Sequence, residues 1–122
     1  MHESTLEWIA KAEDDFSNAR VGGITVDLVC FLCQQCVEKY LKGYLEEHEI
    51  EFGKTHNLTE LLDSSLSLQP LWESWRTPLK RLTRFAAEFR YPGEWANEED
   101  AVTSLRIATE FRKEIRRVMG LD

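Results

Sequence analysis

Apolar residues recur every three or four positions along most of this chain, and strict alternation over a strand's length appears nowhere. Leu6, Ile9, Ala12, Phe16 and Ala19 make the first such stripe. Ser4-Thr5-Leu6-Glu7 ahead of it has the spacing of a capping box, and Gly22-Gly23 behind it suits a helix stop. A second helix is expected from near Asp27 to about His48. Its apolar residues, among them Val29, Leu32, Val37, Leu41 and Leu45, cover more than one face, which predicts a central helix touched on several sides. The same segment carries Gln34, Gln35, Glu38, Lys39 and Lys42, a polar strip inside a pattern that otherwise demands burial.

Asn57-Leu58-Thr59-Glu60 opens a short third helix through Leu61 and Leu62, and Ser64–Gln69 reads as loop. Pro70 permits a helical turn containing Trp72 and Trp75. Thr77-Pro78 then reads as a cap with proline at the first helical position. Leu79, Leu82, Phe85, Ala86 and Phe89 predict a fourth helix to about Phe89, stopped by Tyr91-Pro92-Gly93. Asn97, followed by Glu98, Glu99 and Asp100, starts the last helix with acidic groups at its positive end. Ala101, Leu105, Ala108, Phe111, Ile115 and Val118 form its buried stripe, and Arg112, Lys113, Arg116 and Arg117 suit its negative end. The expectation is an all-α protein, a five-helix bundle of the up-and-down type, in one domain over residues 1–122.

Composition narrows the class. A length of 122 residues supports a real core without disulfides. No apolar run approaches the roughly 20 residues of a membrane-spanning helix. Met1-His2-Glu3-Ser4 lacks the basic-then-apolar order of a signal peptide, so a cytoplasmic protein without membrane association is expected. Cys30, Cys33 and Cys36 have no fourth cysteine and no histidine near in sequence to complete a tetrahedral set. They read as core residues, with no metal and no cofactor expected.

The net charge of −7 argues against indiscriminate binding to nucleic acid. It is unevenly distributed: residues 1–63 carry five Lys/Arg against thirteen Asp/Glu, and residues 71–92 carry five against two. A local basic face on an acidic body fits this distribution, and so does pairing of those cations with the acidic helices.

Two readings of the strip stand. With Arg84 or Arg90 of the fourth helix, Gln35, Glu38, Lys39 and Lys42 would make a pocket for phosphate oxygens, and Tyr91 could stack on a base. Alternatively the strip is a buried network that fixes helix register, with Glu38 neutralising a neighbouring cation. His56 is open in the same way. It is an acid–base or phosphate-donating group near neutrality, or a residue that orders the loop before the third helix.

Three motifs in order carry a resemblance: Gln35-x-x-Glu38-Lys39-x-Leu41-Lys42, Thr55-His56-Asn57-Leu58 and Arg90-Tyr91-Pro92. Together with Phe31, Ala12, Asp15 and Ala19 they make the chain, over roughly residues 4–119, resemble a minimal HEPN domain protein. The resemblance implies a helical bundle similar to the C-terminal domain of kanamycin nucleotidyltransferase. It also implies a homodimer, and frequent pairing with a separate minimal nucleotidyltransferase protein in what look like toxin–antitoxin modules. Many members are metal-independent ribonucleases that use an arginine and a histidine separated by four to six residues. That motif is absent. The nearest echo, Arg84 to Tyr91, has Phe89 in the histidine's place, and phenylalanine cannot shuttle a proton. The expectation is therefore a non-catalytic module that binds nucleotide, RNA or a nucleotidyltransferase partner. The alternative is a ribonuclease in which His56 replaces the missing histidine.

Overall fold

The computed structural model describes residues 1–87 and 92–122, and among these there is no strand. Five α-helices are present: α1 (Glu3–Ala19), α2 (Val26–Glu47), α3 (Leu58–Ser65), α4 (Arg76–Thr83) and α5 (Glu98–Val118). A 3-10 turn, Pro70–Trp75, precedes α4. The C-terminal part of the expected fourth helix, Glu88 to Tyr91 including Phe89, Arg90 and Tyr91, lies outside the described residues.

Helix α2 is central, packing on α1, α5, α3 and α4. Thirteen of its 22 residues are buried, so its apolar pattern spreads around the cylinder instead of marking one face. Thr25 caps it, its hydroxyl accepting from the Leu28 amide at 3.2 Å. Cys30, Cys33 and Cys36 are fully buried on it. Burial pushes their thiols up, Cys33 to about 12, which disfavours the thiolate that reactivity and metal binding require.

Helix α1 runs antiparallel to α2: Ser4 donates to Glu46 near one end, and Lys39 reaches Asp15 near the other. The two helices are in close contact at Gly43, where an added Cβ would sit 3.1 Å from the Trp8 Cβ. Helix α5 runs beside α2 in the same direction. The Ala96 amide donates to Asp27 at one end, and Arg116 reaches Tyr40 further along. Tyr44, Trp72, Phe111 and Trp75 form a chain of tilted and edge-on rings, with centroids 5.0 to 5.5 Å apart, that fastens the 3-10 turn between α2 and α5.

Several local expectations are corrected. Ser4-Thr5-Leu6-Glu7 does not form a capping box. Helix α1 starts at Glu3 with no side-chain cap, because the Ser4 hydroxyl bonds Glu46 across the interface instead. Thr5 takes the buried place expected of Leu6, which is 49% exposed. Gly22 and Gly23 do adopt positive φ, but α1 has already ended at Ala19. Thr77 is not a cap either: α4 begins at Arg76, directly continuing the 3-10 turn, and Pro78 sits at the third position, where its missing amide is still harmless. The described α4 ends at Thr83 and turns at Arg84 and Phe85, well short of Phe89. The expected start of α5 is confirmed in full, with a reciprocal capping box between Asn97 and Asp100.

Candidate functional site

Three turns of α2 place Gln34, Glu38 and Lys42 on one line, four residues apart, facing the segment that enters α3. Glu38 is only 3% exposed. A carboxylate removed from water needs its lone pairs filled, and four groups fill them. Lys42 Nζ donates at 3.0 Å, Gln34 Nε2 at 3.2 Å and Gln35 Nε2 at 3.4 Å. His56 Nδ1 lies 3.0 and 3.2 Å from the two carboxylate oxygens. A carboxylate oxygen only accepts, so this contact matches the tautomer of His56 that carries its proton on Nδ1.

Gln34, fully buried, is the organiser of this cluster. Its amide also donates to the His56 carbonyl at 2.9 Å, so one side chain ties the loop backbone to α2. Thr55 and Asn57 complete the loop: Thr55 Oγ1 accepts from the Asn57 amide, and Asn57 Oδ1 accepts from the Thr59 amide to cap α3. The His56 side chain itself is 64% exposed. Its Nε2 makes no hydrogen bond to the described residues and is open to a ligand.

The structure thus brings Gln35, Glu38, Lys42 and His56 together. It separates the others. Lys39 pairs instead with Asp15 of α1 at 2.5 Å. Arg84 is at the end of α4, with its side chain 62% exposed, its guanidinium over the Phe85 ring at 5.0 Å and the nearest paired carboxylate, Asp100, at 4.0 Å. No hydrogen bond or ion pair joins Arg84 to the Glu38 cluster among the described residues. Arg90 and Tyr91 lie outside them.

Arg84 and Phe85 instead border an open hollow of about 470 Å³, shared with Asp27, Ala87, Gly93, Glu94, Trp95 and Ala96. The Trp95 indole is 78% exposed at its edge. The carboxylate of Asp27 is engaged there, accepting from the Ala96 amide at 2.7 Å.

A second network escaped the sequence reading. Glu13 of α1 accepts two bonds from Arg112, at 2.6 and 2.7 Å, and one from the Tyr40 hydroxyl, while Arg116 donates to that hydroxyl at 3.0 Å. The bonded Arg112 guanidinium holds the Glu13 carboxyl below its ordinary range, with Tyr40 assisting. Burial and the Glu13 carboxylate push the Tyr40 phenol up. Arg112 and Arg116 are thus structural, but through α1 and α2 more directly than through the helix dipole. The available signal was the position of Glu13, four residues after Ile9 and three before Phe16, at the edge of the buried stripe.

Among the described residues, no group of three or more His, Cys, Asp or Glu could hold a metal ion, and no helix is long and apolar enough to cross a membrane. Residues 5–118 match the family model of the HEPN domain. The crystal structure of an archaeal HEPN homologue superposes with a TM-score of 0.71 at 27% identity, covering 92% of this chain and 94% of that one. No curated protein matches the chain. The all-helical architecture and the family match over nearly its whole length agree: this chain belongs to the HEPN domain family.

Proposed function

We propose that this chain is a non-catalytic HEPN module that binds nucleotides, with Arg84 holding phosphate and Trp95 offering a stacking face. The observation that carries the reading is how the candidate cations are partnered. Lys39 and Lys42 each have a carboxylate within 3.0 Å, whereas Arg84 is exposed and its nearest paired carboxylate is 4.0 Å away. A guanidinium and an aromatic face around one open hollow provide the two contacts that a nucleotide uses, charge for phosphate and a π-surface for the base. Glu94 on the same rim opposes phosphate and keeps binding modest.

Tryptophan fluorescence titrated with AMP tests this reading. Saturable quenching is expected, weakened by at least about tenfold in Arg84→Ala, in line with loss of a charge-assisted contact. Absence of AMP binding in the wild-type protein rejects it. A second copy of the chain and a minimal nucleotidyltransferase protein are the partners of the same proposal. Light scattering and co-purification of the two chains test them.

The second reading is a ribonuclease centred on His56. The observation that favours it is the Glu38–His56 pair: a buried carboxylate fixes Nδ1 and leaves Nε2 open, the arrangement of an oriented general base. It requires RNA cleavage in the presence of EDTA that disappears in His56→Ala. The non-catalytic reading requires no cleavage by either protein.

A further inference from the structure

The last turn of α2 contradicts its own dipole. The carbonyl end of a helix favours cations, and α5 follows that rule with Arg116 and Arg117. Helix α2 has no basic residue in its last turn and ends in Glu46 and Glu47, with Glu49 and Glu51 just beyond. Glu46 accepts from the Ser4 hydroxyl and Glu47 from the His2 amide. Glu49 and Glu51 are exposed, and neither carboxylate has a hydrogen bond or ion pair among the described residues. The Glu49 backbone is left-handed, with φ 55°, at a place after the helix that ordinarily favours glycine. Its amide donates to the Glu46 carbonyl at 3.1 Å, and the Ile50 amide donates to the Leu45 carbonyl at 2.9 Å, closing the helix in a Schellman turn.

Glu46, Glu49 and Glu51 line an open hollow of about 620 Å³ together with His2, Ile50 and Phe52. A second hollow, of about 250 Å³, adjoins it at Ser4 and is lined by Glu7, Trp8 and Lys11. The Trp8 and Phe52 rings meet edge-on with centroids 6.3 Å apart, so an aromatic pair joins the two hollows. Trp8 already accepts one cation, the Lys42 ammonium, 5.6 Å from its ring centroid.

We propose that this double hollow docks an arginine-bearing segment of a partner polypeptide, whose guanidinium groups pair with Glu49 and Glu51 and lie against the aromatic pair. Charge complementarity and the mixture of surfaces select this occupant. The carboxylates repel nucleic acid. A divalent ion has no site, since no group of three or more His, Cys, Asp or Glu among the described residues could hold one. A polyamine would use the carboxylates alone, whereas arginine both pairs with a carboxylate through two bonds and stacks on a ring. Lys11 opposes such a partner in the second hollow, so the first hollow carries most of the attraction. The Arg84 hollow includes Asp27, at the other end of α2 and roughly 30 Å away at 1.5 Å per residue. The docking therefore does not depend on what Arg84 binds.

Fluorescence anisotropy with a labelled, terminally blocked peptide of alternating arginine and leucine tests this. The peptide has about ten residues and extends over roughly 33 Å. Glu49→Gln/Glu51→Gln should weaken its binding about fivefold, as for two exposed ion pairs. Asp14→Asn/Glu110→Gln makes the same change in net charge at exposed helix positions elsewhere and should leave binding nearly unaltered. Phe52→Leu keeps apolar bulk but removes the ring, and should cost about threefold. Glu49→Gly should raise the thermal midpoint by about 3 °C, by relieving the left-handed backbone, and yet bind the peptide more weakly. That opposition separates lost contact from lost folding. Equal weakening by the two double variants overturns the proposal, because it reports only attraction to an acidic body. So does absence of binding by the wild-type protein. Spermidine that displaces the peptide as well as unlabelled peptide does also overturns it, in favour of a polyamine site.

Discussion

Lys42 and Arg84 were both candidate ligand contacts, and the fold treats them in opposite ways. Lys42 is 6% exposed and is held by Glu38 at 3.0 Å inside a cluster that also binds Gln34, Gln35 and His56. Arg84 stands in solvent at the end of a short helix, 4.0 Å from Asp100, beside an exposed indole. The difference is one of desolvation. A charge taken out of water must find its counter-charge inside the protein, and it is then no longer available to a ligand. A charge left in water keeps its solvation and can exchange it for phosphate. The polar strip on α2 is thus mainly a device that fixes the entry to α3 through the exposed His56, and among the candidate ligand cations the accessible one is Arg84 at the end of α4.

Removing Glu38 is the hardest test of this contrast. Glu38→Ala leaves the Lys42 ammonium buried without its counter-charge, and should lower stability by about 3–5 kcal/mol in urea unfolding. A loss below about 1 kcal/mol would place the strip among exposed ion pairs and erase the distinction.

Glu13 extends the comparison to a partly buried network. Glu13→Ala should cost about 2 kcal/mol, because Arg112 and Tyr40 both lose their acceptor. The pH dependence has a definite sign. The folded-state carboxyl lies below its ordinary 4.5, so its contribution is complete above that value and disappears as pH falls through the folded value. The urea midpoint should therefore drop more steeply on acidification below pH 4.5 in the wild type than in Glu13→Gln.

Gly43→Ala tests the α1–α2 contact. The added methyl meets the Trp8 Cβ at 3.1 Å, an atom anchored to its backbone and unable to swing away. Overpacking should outweigh the better helix propensity of alanine and leave a net cost of about 1 kcal/mol, read as a lowered thermal midpoint. The smallest stability effect is expected at the exposed end of the comparison. Arg84→Ala should change stability by no more than about 0.5 kcal/mol while weakening AMP binding. A large loss of stability there would mean that Arg84, like Lys42, is a structural cation.

Helix identity and order were readable in the sequence wherever the period was long and the cap chemistry local. Asn97 with Asp100 marks α5, Asn57 marks α3, and the unbroken apolar breadth of residues 27–48 marks the central helix. Local reading failed where a side chain had a better partner at long range. Ser4 has cap spacing but bonds Glu46, 42 residues away. Thr77 precedes a proline, yet the preceding 3-10 turn already runs into α4. The site divides in the same manner. Gln35, Glu38, Lys42 and His56 could be chosen from their spacing and motif, and they do meet. The departure of Lys39 towards Asp15, the isolation of Arg84 and the Glu13 network depend on which helices lie side by side.

By itself the chain determined an all-helical class, a central second helix and the polar residues that would conflict with its burial, because periodicity and capping act over a few residues. Tertiary structure alone decided which of those charges are neutralised and which remain in water. That outcome depends on distances between residues far apart in sequence and on the solvent each side chain keeps. Neither quantity is encoded in local pattern.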